Sequence, residues 1–248
     1  MKYMGSKARV AKYILPIILK DRKEGQWYVE PFVGGCNTID KVDGNRIGAD
    51  NNKYLIAMYK GLVDSGTIQL NTSKEYYSSV RDFYNNKSNK YFDDFTVGLV
   101  GFMCSANGRF FEGGYSGKST TKAGKVRDYI DESIRGLSKQ LSKLKCIDFI
   151  YTDYTNLDIP DYSIIYCDIP YKDTKQYSTS KNFDHGTFWQ WCRDKVKEGH
   201  KVFISEYSAP EDFICIWEQE VKSSLSANGK SGGSKKSTEK LFVHKSQT

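Results

Sequence analysis

Between Ser163 and Cys167 the chain runs Ser-Ile-Ile-Tyr-Cys and then breaks off in Asp168-Ile169-Pro170-Tyr171. An apolar, β-branched run of this length is the pattern of a strand buried on both faces, the kind found inside a parallel sheet. Ligands of such sheets sit beyond the carboxyl ends of the strands, which is where Asp168 falls. Pro170 pushes Ile169 out of the helical region, so the backbone stays open past the strand. A carboxylate, a forward-pointing carbonyl and an aromatic ring are then presented together. That set suits a flat base with an exocyclic amine: two acceptors for the amino hydrogens and a ring to stack on. Taken alone, the tetrapeptide reads equally well as a strand ending in an Asp-x-Pro turn.

A chain of 248 residues has room for one large α/β domain, or for one domain with a sizeable insertion. No apolar run approaches a membrane span, and Met1 leads directly into Lys2 without an apolar signal core. The six cysteines are scattered, with no C-x-x-C pair and no histidine at ligand spacing. This argues for reduced thiols in a cytoplasmic protein and against structural zinc. A net charge of +7 favours a polyanionic partner.

Earlier in the chain, Lys2 to Lys7 precede an amphipathic stretch with Val10, Ile14, Ile17 and Ile18 on one face. Ser6 is positioned as an N-cap, and Pro16 is expected to kink or split the helix. Gly5 and Lys7 at that start either meet an anionic group or simply open a capped helix. Trp27-Tyr28-Val29 reads as a strand entering Glu30-Pro31-Phe32-Val33-Gly34-Gly35, where glycines allow a ligand close to the backbone. Arg46 to Asp50 is a second short strand ending in an acid, about 20 residues on, the spacing at which a Rossmann-like unit places a carboxylate on ribose hydroxyls. Capping of the helix that starts near Asn52 is the alternative role for Asp50.

Helical patterns follow over 52–64, 73–85 and 91–104. Residues 105–118 then turn glycine-rich, basic and aromatic, too polar for core and too punctuated for helix. A hairpin here would project Arg109, Lys118, Lys122 and Lys125 as a DNA-reading finger, with Arg suited to a guanine edge and Lys to phosphate; a solvated surface loop is the competing reading. Residues 127–144 are helical, with a core-facing apolar stripe. Cys146 to Tyr151 reads as a strand ending in Thr152-Asp153-Tyr154, where Asp153 either forms a turn or accepts from a cofactor amine. The polar segment from Lys172 to Phe183 could close over a bound base. Residues 188–196 read as helix, and 202–205, 213–221 and 239–244 as strands. The tail from Lys222 to Lys245 holds six lysines against one glutamate.

In this order the segments resemble the Dam-like, D12 class adenine-N6 DNA methyltransferases, over most of the chain. Lys2 to Lys7 is similar to the family's K-W-x-G-x-K segment, Glu30 to Gly35 to its E-P-F-x-G motif, and Asp50-Asn51 falls in its A-D-x-N segment. Asn107-Gly108-Arg109 resembles part of its recognition hairpin, Asp153 the acid at the cofactor adenine, and Asp168 to Tyr171 its D-P-P-Y motif. Ser224 to Gly229, Lys235-Lys236 and Glu239 to Leu241 resemble its basic C-terminal segment. Two departures stand out. Ile169 replaces the first proline of D-P-P-Y but keeps the backbone carbonyl, and Cys36 stands where many relatives have a further glycine.

The resemblance implies a Rossmann-like, S-adenosylmethionine-dependent methyltransferase sheet, with a catalytic domain over 1–58 and 145–248. A mainly helical target-recognition insertion would span 59–144, with its hairpin near 105–125. Asp168, Ile169, Pro170 and Tyr171 would carry the chemistry. The cofactor would be held by Tyr3, Gly5 and Lys7, by Glu30, Pro31, Phe32, Gly34 and Gly35, by Asp50 and Asn51, and by Asp153, Tyr154 and Asp168. Within these, Lys7 would take the methionine carboxylate, Asp50 the ribose and Asp153 the adenine. Double-stranded DNA would be met by Asn107, Arg109, Lys118, Lys122 and Lys125, and by Asn228, Lys235 and Lys236. No metal, no membrane and a prokaryotic or phage-infected cytoplasm complete the expectation; the oligomeric state stays open, a monomer on DNA being compatible with it. Two rivals remain open at this point: cytosine-N4 transfer, which the same D-x-P-Y chemistry permits, and a DNA-binding relative that has lost turnover.

Overall fold

The computed structural model describes residues 1–121, 123–171, 183–222 and 236–248, without the side chains of 222, 236 and 237. Among the described residues, nine strands and six α-helices follow one another along the chain. Helix α1 (Ala11–Ile18) leads to β1 (Tyr28–Glu30), β2 (Arg46–Asp50) and α2 (Lys53–Ser65). Then come α3 (Lys74–Tyr84), α4 (Asp94–Met103), a hairpin of β3 (Lys118–Thr120) and β4 (Val126–Asp128), and α5 (Tyr129–Leu144). The chain ends with β5 (Ile147–Tyr151), β6 (Ile164–Asp168), α6 (His185–Lys197), β7 (Lys201–Ser205), β8 (Phe213–Lys222) and β9 (Lys236–His244).

Seven strands form one sheet in the order β5-β2-β1-β6-β7-β9-β8. The first five are mutually parallel, and β9 runs antiparallel to both β7 and β8. This is the Rossmann-like sheet the sequence implied. From β1 the chain builds outward through β2 to β5, then returns to lay β6 on the other side of β1. The order therefore reverses between β1 and β6, and crevices at such reversals are where α/β sheets bind ligands.

Strand β6 is the run Ile164-Ile165-Tyr166-Cys167-Asp168, buried on both faces as its composition requires. Ile164 and Tyr166 join the apolar cluster on one face of the sheet, under α1 to α5; Ile165 and Cys167 join the other, under α6. A side-chain period of two sends alternate residues to opposite faces, so one strand feeds both cores.

Several expectations change. Ser6 caps a 3-10 turn over Lys7–Arg9 rather than the α-helix, accepting from the Ala8 N–H at 3.2 Å. Pro16 then sits inside α1, which ends two residues later; it limits the helix to two turns instead of splitting it. Phe110 and Phe111, read from a polar stretch, are core residues, ringed by Tyr54, Tyr77, Tyr84 and Phe102. The last strand starts at Lys236, before the expected Glu239, because β8 extends far enough to pair with it from Phe213 to Lys222. The expected domain boundary at 58/59 falls within α2.

Candidate active site

The carboxyl edge of the parallel strands carries a row of acids. Asp153 follows β5, Asp50 ends β2, Glu30 ends β1 and Asp168 ends β6, four neighbouring positions along the sheet. They come from segments more than a hundred residues apart, and sheet order alone assembles them.

Beyond β1 the chain turns through Pro31 and Phe32 into Gly34 and Gly35. Several backbone groups of this turn are held from neighbouring elements. The Gly34 N–H donates to Asp50 Oδ2 at 3.1 Å, and the Tyr59 hydroxyl donates to the Gly34 carbonyl at 2.8 Å. Gln140 Nε2 donates to the carbonyls of Gly35 at 3.2 Å and Cys36 at 2.8 Å. Gly34 has φ +44, and a Cβ there would lie 2.9 Å from the Tyr3 ring; at Gly35 it would lie 2.7 Å from the Tyr3 Cβ. The glycines thus admit Tyr3 onto the turn. Cys36 also takes a left-handed φ of 53° while fully buried, a conformation glycine adopts without penalty.

Asp50 does not cap α2. That role belongs to Asn52, whose Oδ1 accepts from the N–H groups of Tyr54 and Leu55. Asp50 instead ties the glycine turn to the start of α2, its other oxygen accepting from the Asn52 N–H at 2.9 Å. Burial pushes its carboxyl up to about 6, the two backbone donors opposing the shift. Asn51 beside it is exposed. Glu30 is more deeply buried and is pushed up to about 8 by desolvation, although the Thr38 and Tyr28 hydroxyls bond its carboxyl. Phe32 packs among Tyr154, Phe183 and Phe188. Asp153 caps a 3-10 turn, its Oδ1 accepting from the Thr155 N–H and hydroxyl at 3.0 and 2.7 Å, and it remains exposed.

At the end of β6 the side chains close into a polar knot. Lys7 Nζ lies 2.8 Å from Asp168 Oδ1 and 3.6 Å from Glu239 Oε2, and it donates to the Gly5 carbonyl at 3.3 Å. The Tyr171 hydroxyl donates to Glu239 Oε2 at 2.8 Å, and the Lys7 ammonium stands 4.4 Å from the Tyr171 ring centroid. The edge of Tyr207 meets Tyr171 at 4.6 Å. Burial raises the Asp168 carboxyl, and the Lys7 charge counters that rise. Ile169 is buried and Pro170 partly so. Lys7, expected at a cofactor carboxylate, is therefore found on Asp168.

Sequence reasoning missed Glu239, Tyr59 and Gln140. Glu239 was legible only as the lone acid of a basic tail. Gln140 was legible as a polar residue on the buried stripe of α5, three residues after Leu137 and four before Leu144. Tyr59 reads as one more apolar position of α2.

In the insertion, β3 and β4 pair antiparallel from Lys118↔Asp128 to Thr120↔Val126, a hairpin that begins later than the expected 105–125 and leaves Asn107 to Arg109 outside it, in and beside a 3-10 turn. Lys118 and Lys125 are exposed on it, while Lys122 lies outside the described residues. Asn107 is exposed in a left-handed conformation, φ 58°. A Cβ at Gly108 would lie 2.3 Å from the Lys2 carbonyl, so this loop packs on the N-terminal segment. Among the described residues, Arg109 Nε is the buried side-chain polar atom without a hydrogen-bond partner. Arg127, not anticipated, makes a two-bond fork to Glu132 at 2.8 and 2.7 Å. Asn228, Lys235 and most of the 172–183 segment lie outside the described residues, and Lys236 is described by its backbone alone.

Strand-end acids, a glycine turn and a D-x-P-Y corner are thus gathered at the carboxyl edge of the sheet where its strand order reverses, the region in which α/β sheets bind ligands. A family model described as D12 class N6 adenine-specific DNA methyltransferase matches residues 3–213. A search of curated proteins finds no match.

Proposed function

The chain belongs to the D12 class of N6 adenine-specific DNA methyltransferases, and from that premise we propose how its residues divide the work. The enzyme methylates the N6 amino group of adenine in DNA, using a methyl donor. We assign the donor as S-adenosylmethionine, which when bound supplies an electrophilic methyl group on a sulfonium. The donor set is compatible with this molecule: Asp50 at the end of β2 would take ribose hydroxyls, and Phe32 and Tyr154 would flank a purine. Asp153 and Tyr154 would meet its amine, and Glu30 to Gly35, with Tyr3 and Gly5, would bound the tail.

Adenine N6 is a poor nucleophile because its lone pair is delocalised into the ring. Asp168 and the Ile169 carbonyl accept the two N6 hydrogens, which draws the nitrogen toward tetrahedral geometry and stabilises positive charge as it develops, an electrostatic preorganisation. As the N–C bond forms the C–S bond breaks, and the surplus N6 proton leaves to solvent. Pro170 holds the corner open and Tyr171 flanks the base. A paired adenine cannot enter such a corner, so the substrate is duplex DNA with the target flipped out, at a cost of a few kcal/mol. We assign 1–58 and 145–248 to catalysis and 59–144 to target recognition. Arg109, with its unpartnered Nε, and Asn107 are assigned to base edges; Lys118, Lys122, Lys125, Asn228, Lys235 and Lys236 are assigned to phosphates.

The observation that carries this reading is the placement of Asp168 and the Glu30 turn on adjacent strands, β6 and β1, where the sheet order reverses. Its test is nucleoside mass spectrometry of unmethylated DNA incubated with the protein and S-adenosylmethionine. N6-methyladenine is the expected product; N4-methylcytosine, or no methylated base from a folded protein that binds the cofactor, would overturn the reading.

A further inference from the structure

We infer that Lys7 is a positioning residue for the acceptor pair: gripped by Glu239, it holds Asp168 in a buried ion pair that presents the carboxylate to the target amine as an acceptor only. The inference rests on the reading of Asp168 as that acceptor. It assigns work to two residues from opposite ends of the chain, one in the N-terminal 3-10 turn and the other in β9.

Three oxygens surround the Lys7 ammonium group: Asp168 Oδ1 at 2.8 Å and Gly5 O at 3.3 Å lie within hydrogen-bond distance, and Glu239 Oε2 at 3.6 Å completes an ion pair. The side chain is 8% exposed and that of Glu239 15%. At such burial a charge is retained only when paired, and breaking the pair leaves the remaining charge uncompensated.

Glu239 grips from two sides. Besides facing Lys7, its Oε2 accepts from the Tyr171 hydroxyl at 2.8 Å, so it fixes the aromatic ring of the D-x-P-Y corner and the lysine together. The charged and titratable groups that face Asp168 are Lys7 from the N-terminal turn, Glu239 from β9, Glu30 from β1 and Tyr166 from β6 itself, with Tyr171 and Tyr207 facing the same knot. Only one of these is a cation. Removing it leaves two carboxylates confronting each other in a buried corner, which forces a proton onto one of them. A protonated Asp168 would offer a hydroxyl to the amine in place of a lone pair.

The test compares single-turnover N6-methyladenine formation against pH, in an unmethylated random-sequence duplex pool at saturating S-adenosylmethionine, for Lys7→Met, Glu239→Gln and Asp168→Ala. Cofactor affinity is measured in parallel by calorimetry. Lys7→Met is expected to slow transfer at neutral pH by at least about tenfold and to move the acid limb of the profile up by about one to three units, reflecting loss of the cation. Glu239→Gln, which removes a like charge, is expected to move that limb downward, with a smaller loss of rate. A purely structural role would not displace the two limbs in opposite directions. Cofactor affinity is expected to stay within about threefold of wild type in both, a difference of under 1 kcal/mol in binding.

A limb that stays in place in both variants, or a Lys7→Met protein that instead loses cofactor affinity about tenfold or more, would overturn the inference. If Lys7→Met does not fold, Glu239→Gln decides: a limb moved downward supports the inference and an unmoved limb overturns it. Transfer retained by Asp168→Ala would remove the acceptor reading and this inference with it, whereas its loss there beside unmoved limbs removes the inference alone.

Discussion

Glu30 shows how burial converts a cofactor-turn residue into a pH-dependent one. Its carboxyl ionises near 8 in the fold against an ordinary 4.5. The folded state therefore binds this proton more tightly than the unfolded chain does. The stability it contributes is complete below about pH 4.5 and is lost as pH rises through 8. Glu30→Gln, which keeps the hydrogen-bonding shape and does not titrate, is expected to flatten the fall in melting temperature across that window. A fall as steep as that of the wild type would assign it to other groups. Glu30, Asp50 and Asp168 were legible in the sequence because each ends a short apolar run, a local signal. Glu239 and Gln140 were not, because their partners lie 68 and more than a hundred residues away, and only strand order brings them together.

Among the elements, β6 was the most legible, since four consecutive buried residues, Ile164 to Cys167, leave a chain little choice but an inner strand. The 105–118 loop was the least legible. Its glycines and charges spoke for a surface loop or hairpin, yet Phe110 and Phe111 fold back beneath it and anchor it to α3 and α4. Aromatic residues in a polar stretch signal a buried footing as readily as a stacking surface, and composition does not distinguish the two. The hairpin of β3 and β4 then rises from that footing with Lys118 and Lys125 exposed. If both lysines contact phosphates, the Lys118→Ala, Lys125→Ala double variant is expected to lower the slope of log affinity against log salt by about 1.8, at about 0.9 for each lost contact. DNA binding by fluorescence anisotropy across a salt series reads this directly, and an unchanged slope would take both residues off the DNA.

At the scale of the molecule, the N-terminal segment joins the two halves of the task. The Lys2 carbonyl packs against Gly108 in the 105–118 loop, and five residues later Lys7 grips Asp168. The helices inserted between β2 and β5 share one apolar cluster with that face of the sheet, so the insertion proposed to read DNA and the sheet rest on a common core. The parallel order of the sheet could be anticipated from its inner strands and strand-end acids. The ion pair that closes its corner could not, since it depends on the first turn of the chain meeting the last strand. Single-turnover transfer by Asp168→Ala, measured beside its affinity for S-adenosylmethionine, tests the central claim most directly. The account expects N6-methyladenine formation to disappear while cofactor binding stays close to wild type; transfer continuing near the wild-type rate would contradict it.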